Sequence, residues 1–183
     1  DLLLILGGFQ GVLGWYMVKS GLVDDPNVSQ YRLTAHLGMA VFIYSLILWT
    51  VFDLSLNYNH AIRSRIKWMS STLTLLIFLM ILSGGLVAGT RAGIPFPTWP
   101  LMGDTFIPPQ IYSMNPSWLS AFEDMATIQF NHRMFAYLLT IFIVIFAIVL
   151  LRSNVPRFLK NGTTALLFVL SLPVSYTHLR AHE

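Results

Sequence analysis

The sequence predicts an all-α protein, a bundle of helices that cross a membrane several times. Of its 183 residues, 55% are hydrophobic and only 10% are charged, whereas an ordinary soluble domain has about 25% charged residues. Its mean hydropathy is +0.66. Long uncharged runs reach the length of about 20 residues that a bilayer crossing needs. These observations exclude a soluble globule and a disordered chain, and the absence of cysteine excludes a disulfide scaffold.

Three complete membrane helices are predicted, at residues 33–54, 68–90 and 128–151. Residues 2–18 are a fourth apolar segment, which we interpret as a helix clipped at its N-terminus, and residues 163–176 are a fifth, clipped at its C-terminus. We therefore expect the chain to be a fragment. Buried helices of a large soluble core are the alternative, which is disfavoured because several uncharged runs of this length are rare there.

The loop charges predict the orientation of these helices. Residues 55–67 and 152–162 carry three basic residues each, whereas residues 19–32 and 91–127 together carry three basic and five acidic residues. Because basic loops stay on the cytoplasmic or matrix side, we place the first pair inside. The outer loop 91–127 contains six prolines and two tryptophans, which predicts a turn-rich, interfacial segment. Within it, residues 117–125 are expected to form a short helix on the membrane surface.

The net charge of +3 comes from a few loop residues and not from a basic helix face. We therefore expect the lipid bilayer as the main partner, and no nucleic acid.

Two histidines lie inside predicted spans, His36 and His132, each a few residues past the outer end of its helix. With a rise of about 1.5 Å per residue, both imidazoles are expected one or two turns below the outer surface. An ionisable residue in a span points to a function, although a hydrogen bond to a neighbouring helix is the alternative. The residue four positions on is alanine in both cases, Ala40 and Ala136, which leaves room for a flat ligand. Since neutral imidazole is a common axial ligand of haem iron, these histidines predict haem binding.

Arginines accompany this pattern. Arg32 lies one turn outward of His36, Arg133 follows His132, and Arg91 begins the outer loop. Arginine at the outer end of such a site can pair with porphyrin propionates, which are carboxylates. Snorkelling of these side chains to the membrane interface is the alternative.

Glycines crowd two of the predicted helices. Gly85 and Gly89 have the small-xxx-small spacing that lets two membrane helices approach closely. Room for the edge of a macrocycle is the alternative explanation. The other glycines in these two helices are Gly7, Gly8, Gly11, Gly14 and Gly84.

Five segments in order carry a resemblance to one family. They are GVLGWYMVKSGL at 11–22, VSQYRLTAHLGMA at 28–40, SGGLVAGTRAG at 83–93, TWPLM at 98–102 and ATIQFNHRMFAY at 126–137. In these segments the chain resembles the haem A synthase family of cytochrome oxidase assembly, in its mitochondrial and proteobacterial form. The resemblance runs from about residue 8 to about residue 172.

The resemblance implies an eight-helix protein built as two four-helix halves related by a pseudo-two-fold axis. Residues 1–54 would be the last two helices of the first half, and 55–67 the inner loop that joins the halves. Residues 68–172, with outer loop 91–127, would be the first helices of the second half. The abruptly polar residues 173–183 are interpreted as a non-native tail.

The resemblance also implies two haem sites, because each even-numbered helix of the family supplies one histidine. Matched depth alone would suit a single haem between His36 and His132, but the family places them in different sites. His132, with Arg133 and Arg91, is assigned to a haem b cofactor in the second half. His36, with Arg32, is assigned to the substrate, haem O, in the first half. Both imidazoles would then be ligands of iron.

The implied reaction oxidises a ring methyl of haem O to the formyl group of haem A. We name no catalytic residue, since Gln129 stands three before His132 where the related family motif has an acid. The resemblance suggests a bacterial or mitochondrial inner membrane as location. A haem O donor enzyme, an electron donor and a second copy of the chain are candidate partners.

Other functions fit less of the sequence. A bis-histidine b-type cytochrome for electron transfer is the main alternative. A proton-relaying transporter is disfavoured because the prolines cluster in the outer loop instead of breaking the spans. A purely structural subunit is the last alternative.

Overall fold

The computed structural model describes residues 1–19, 28–55 and 63–180. Nearly all regular structure in these ranges is helical, which confirms the predicted all-α fold class. In chain order the elements are α1 (Leu2–Lys19), α2 (Gln30–Ser55), α3 (Ser64–Thr90), a 3-10 turn (Ser117–Leu119), α4 (Ser120–Glu123), α5 (Met125–Leu151) and α6 (Arg157–Arg180). The predicted inner loop and tail lie partly outside the described residues, at 56–62 and 181–183.

Four of these helices, α1, α2, α3 and α5, are long and apolar enough to cross a membrane. The chain is therefore a multi-pass membrane protein, as its composition predicts. The helices α2, α3 and α5 begin a few residues before the predicted apolar runs, because a helix satisfies its own backbone groups in lipid and at the interface alike. The fifth apolar segment also forms a helix, α6, whose apolar run is shorter than a bilayer crossing needs.

The helices pack in sequence order: α1 contacts α2, α2 contacts α3, α3 contacts α5, and α5 contacts α6. The main cluster of buried hydrophobic side chains lies between α3 and α5, in the half of the bundle that faces the predicted inner side. The buried side chains of this cluster are Ile66, Met69 and Leu73 of α3 and Leu139, Ile143, Phe146 and Leu150 of α5. The outer half, where both histidines lie, is packed around smaller residues.

Glycines bring α2 and α3 into close contact in that outer half. A Cβ built on Gly89 would lie 2.5 Å from Gln30 Cα, and one on Gly85 would lie 2.8 Å from Thr34 Oγ1. Gly38 of α2 is equally tight, at 2.7 Å from Leu82 Cδ2. The predicted role of Gly85 and Gly89 in close helix approach is confirmed, because any side chain at these positions would push the helices apart.

The ends of outer loop 91–127 are fixed by caps on the helices that flank it. Arg91 adopts the left-handed conformation at φ 55° and closes α3. At the other end Asp124 caps α5, accepting hydrogen bonds from the Thr127 backbone N–H at 2.8 Å and the Thr127 hydroxyl at 2.6 Å. The predicted helix at 117–125 is present as the 3-10 turn and α4. It stops at Asp124 because a capping residue has an extended backbone.

The middle of the loop is held by Arg133 of α5. Its Nη2 donates to the Phe96 carbonyl at 2.8 Å, and its Nη1 donates to the Leu101 carbonyl at 3.0 Å. With the Gln129 amide turned so that its oxygen faces the guanidinium, that oxygen accepts from Arg133 Nη2 and Nε at 3.3 Å. The forked guanidinium thus fastens residues 96–101 to the outer end of α5.

We expect Gly89→Ala to destabilise the bundle by about 1–3 kcal/mol, because the added methyl overlaps the backbone of Gln30. The matched control is Gly162→Ala in α6, where a Cβ meets no described atom within 4 Å. There alanine should be neutral or stabilising by up to about 1 kcal/mol. Thermal unfolding in detergent measures both. Equal effects of the two substitutions would contradict the close α2–α3 contact.

We expect Arg133→Lys to loosen residues 96–101, because a lysine ammonium cannot form the two separated hydrogen bonds of the guanidinium fork. The Met102 and Gly103 amides are bonded within this loop, at 2.8 and 3.1 Å. Their hydrogen exchange should accelerate about tenfold, which corresponds to one lost charged hydrogen bond. Arg152→Lys, at the other end of α5, is the control. Unchanged exchange in Arg133→Lys would rule out this anchoring.

Candidate functional site

A mostly apolar cavity of about 870 Å³ lies in the outer half of the bundle, between α1, α2, α3 and α5. This volume is in the range of small-molecule and cofactor pockets. Aromatic and aliphatic side chains dominate its lining, and Tyr31, Thr34, Ser83 and Asn131 are its polar groups. The Thr34 hydroxyl is buried without a hydrogen-bond partner in the described part of the chain.

His132 faces α3 next to this cavity. Its Nδ1 lies 2.8 Å from the Ser83 hydroxyl oxygen, and its Cε1 would be 3.6 Å from a Cβ on Gly84. A Cβ at that distance would be in ordinary van der Waals contact with the ring, and the neighbouring serine holds one ring nitrogen. The other nitrogen, Nε2, is the one that this arrangement leaves for a ligand.

His36 faces α1 in a similar way. A Cβ on Gly14 would lie only 3.1 Å from His36 Cε1. Gln10, one turn before Gly14, donates from Nε2 to the His36 carbonyl at 3.1 Å and lies 3.4 Å from His36 Nε2. In contrast to His132, the His36 Nδ1 is buried without a hydrogen-bond partner among the described residues, as is Gln10 Oε1.

The two histidines occupy comparable positions on their helices. His36 is the seventh residue of α2 and His132 the eighth residue of α5, so each lies about 10 Å along its helix from the outer end. Each ring packs on a glycine of the preceding membrane helix. Because His36 contacts α1 and His132 contacts α3, the described contacts distribute the two imidazoles over different helix interfaces.

Two of the three predicted arginines, Arg32 and Arg133, have side-chain contacts within the protein. The Arg32 guanidinium lies over the Tyr16 ring of α1, with 4.7 Å from Cζ to the ring centroid. Arg133 holds the outer loop, and Arg91 forms the left-handed end of α3. All three lie at the outer end of the bundle, on the side of the histidines.

A polar contact that sequence reasoning missed joins α2 to α4 beside the cavity. The Tyr31 hydroxyl donates to Glu123 Oε1, and Gln30 Nε2 donates to Glu123 Oε2 at 2.9 Å. These residues are more than 90 positions apart in the chain, so no local pattern indicates the pair. Ala121 and Phe122 of the α4 segment line the cavity, and the contact therefore fixes this part of its wall.

Sequence reasoning also did not identify which residues lie against the two histidines. These are Gln10 and Gly14 for His36, and Ser83 and Gly84 for His132. A signal for two of them exists, because Gln10 and Ser83 are polar residues inside otherwise apolar spans. Which histidine each one contacts depends on helix packing. Among the described residues, there is no group of three or more histidines or acidic residues that could hold a metal ion by itself.

Comparison with known proteins gives one consistent result. The family model described as cytochrome oxidase assembly protein, COX15-CtaA, matches residues 2–176. The heme A synthase of Nitrosospira multiformis is 49% identical over 147 residues, which are 78% of this chain and 41% of that protein. The heme A synthase of Parvibaculum lavamentivorans is 47% identical over 142 residues, again 78% and 41%.

A third relative covers more of the chain. The heme A synthase of Mesorhizobium japonicum is 39% identical over 171 residues, which are 93% of this chain and 47% of that protein. The chain thus spans less than half the length of these relatives. No solved structure matches it. Since the family model covers nearly the whole chain, the chain belongs to the COX15-CtaA family of cytochrome oxidase assembly proteins.

Proposed function

We propose that the protein containing this chain is a haem A synthase, an oxidoreductase that converts a ring methyl of haem O to the formyl group of haem A. The observation that carries the proposal is the pair of imidazoles, one on α2 and one on α5. Each is seated on a glycine near the outer end of its helix. The name that the relatives share supports the same reaction.

The residues around His132 fit a haem ligand. A single imidazole can hold a metal ion only when other groups complete the coordination, and a porphyrin supplies four nitrogens. The Ser83 contact on Nδ1 is the kind of outer partner that metal-ligating histidines have. We therefore propose that His132 ligates a haem b cofactor, which supplies redox-active iron when bound.

The residues around His36 fit a second haem, the substrate. The buried His36 Nδ1 and Gln10 Oε1 lack partners among the described residues, and a buried polar atom without a partner is costly. A bound ligand or a repositioned imidazole would relieve this cost. We propose that His36 faces the iron of haem O, so that the α1–α2 interface holds the substrate.

The remaining assigned residues act at the outer end of both sites. In this proposal Arg32 near His36, and Arg133 and Arg91 near His132, place positive charge where porphyrin propionates would lie. Arg133 also fastens the outer loop over that end through the Phe96 and Leu101 carbonyls. The loop and the Glu123 contacts would limit the access of water to the haem edges.

The proposed setting follows from the fold and the relatives. The multi-pass helices place the protein in a lipid bilayer, and we propose a bacterial or mitochondrial inner membrane; the relatives named above are bacterial. A haem O donor enzyme, an electron donor and a second copy of the protein are its proposed partners. The catalytic acid is not assigned to any residue of this chain.

We expect the full-length protein to purify with a low-spin b-type haem and His132→Ala to lose it. His36→Ala should keep this haem but lose the conversion of supplied haem O to haem A. His60→Ala, in the predicted inner loop, is the control and should retain both. Visible spectra and extracted-haem chromatography measure the outcomes.

A wild-type Soret band in His132→Ala would refute the ligand assignment. Haem binding without conversion in the wild-type protein would favour an electron-transfer cytochrome.

We expect the isolated chain of 183 residues to bind haem weakly, because the two proposed sites lie at different helix interfaces and each has one histidine. Titration with haem and optical detection of the coordination state test this. Stoichiometric, six-coordinate haem in the isolated chain would instead indicate that His36 and His132 share one haem.

A further inference from the structure

We propose that Ser83 is a positioning residue for His132: its hydroxyl oxygen accepts the Nδ1 proton of the imidazole, so that Nε2 carries the lone pair that binds iron. The inference rests on the proposed haem site at His132 and adds to it the group that sets the ring's tautomer and plane.

The first support is the choice of hydrogen-bond partner by the Ser83 hydroxyl. A serine or threonine inside a helix commonly bonds to the carbonyl four residues before it. Thr74, Thr90 and Thr140 all do so here, at 2.8–3.0 Å. The hydrogen bond that the structure gives Ser83 instead crosses from α3 to α5 and joins its oxygen to His132 Nδ1 at 2.8 Å.

The local packing is the second support. Gly84 follows Ser83 and faces His132 Cε1, where a Cβ would lie 3.6 Å away in ordinary van der Waals contact. The hydrogen bond at Nδ1 therefore restrains the ring, with Cε1 turned toward the Gly84 position. Neither interaction uses Nε2, the proposed ligand position, which is therefore left available.

The contrast with His36 is the third support. Its Nδ1 has no hydrogen-bond partner in the described part of the chain, and Gln10 reaches its Nε2 only at 3.4 Å. One imidazole thus has a close hydrogen-bond partner on its Nδ1, and the other does not. A fixed ring suits a resident cofactor, whereas a less restrained ring suits a substrate that must bind and leave.

An acceptor on the non-ligating nitrogen has a defined chemical effect. It makes the imidazole a stronger donor to the metal, and loss of such a partner typically lowers metal affinity about 10- to 100-fold. A stronger donor also favours ferric over ferrous iron. Removing the Ser83 hydroxyl should therefore weaken haem binding and raise the midpoint potential of the haem.

The test uses the full-length protein with Ser83→Ala, Ser83→Thr and a control, Ser70→Ala. Ser70 lies on the same helix, and its side chain is exposed.

In Ser83→Ala we expect haem to dissociate about tenfold faster, and the ferrous fraction at a fixed potential to rise relative to the wild type. Ser83→Thr keeps a hydroxyl and should restore the wild-type potential. Ser70→Ala should leave the potential unchanged. Redox titration measures the potential, electron paramagnetic resonance reports the ligation of the ferric haem, and loss of the haem absorbance measures dissociation, all without an activity assay.

For Ser83→Ala and its control, two outcomes would overturn the inference. One is a Ser83→Ala protein with the wild-type potential and resonance spectrum. The other is an equal shift in Ser70→Ala. If Ser83→Ala does not accumulate, Ser83→Cys carries the same test: its thiol is a weak acceptor, so an unchanged potential there overturns the inference as well. A wild-type protein that binds no haem would refute the proposed function and this inference with it, whereas an unchanged Ser83→Ala refutes only the inference.

Discussion

A polar side chain inside a bilayer must find its hydrogen-bond partners within the protein, because lipid offers none. This constraint explains the outer half of the bundle. His132 Nδ1 is partnered by Ser83 of α3. Gln10 of α1 contacts the His36 carbonyl and Nε2, whereas His36 Nδ1 has no partner among the described residues. A glycine lies beside each imidazole, and at Gly14 an added Cβ would crowd the His36 ring at 3.1 Å.

The bundle divides into a packed half and an open half. Toward the predicted inner side, leucine, isoleucine, methionine and phenylalanine side chains of α3 and α5 form a continuous buried cluster. Toward the outer side the same two helices carry Ser83, Gly84 and His132, and the cavity lies beside them. The packed half gives α3 and α5 a fixed relative position, on which the 2.8 Å contact between Ser83 and His132 depends.

The outer loop is built mainly by side chains that bond to backbone groups and by helix caps. Arg133 holds two of its carbonyls, Asp124 begins α5, and the Tyr112 backbone N–H donates to the Thr127 hydroxyl at 3.1 Å. A segment with many prolines has few backbone donors of its own, so such contacts replace regular secondary structure. Arg133 therefore links the helix of His132 to the loop between α3 and α5.

The helices, their number and their types could be predicted from the sequence, because about 20 uncharged residues in lipid have no stable alternative to a helix. The same constraint marks His36 and His132 as functional candidates, and the spacing of Gly85 and Gly89 indicates a close helix contact. The fine ends of the helices, such as the break at Asp124, depend on a capping bond to Thr127.

Other features were decided only by tertiary structure. Local sequence does not indicate that Ser83 meets His132 across 49 residues, or that Glu123 meets Tyr31 across 92. Nor does it indicate that Arg133 is engaged with loop carbonyls. An apolar run determines that a helix crosses the membrane. The rotation of that helix about its axis, and its position along the membrane normal relative to neighbouring helices, are set by how small and large side chains pack where the helices touch. Those two quantities decide which polar groups meet.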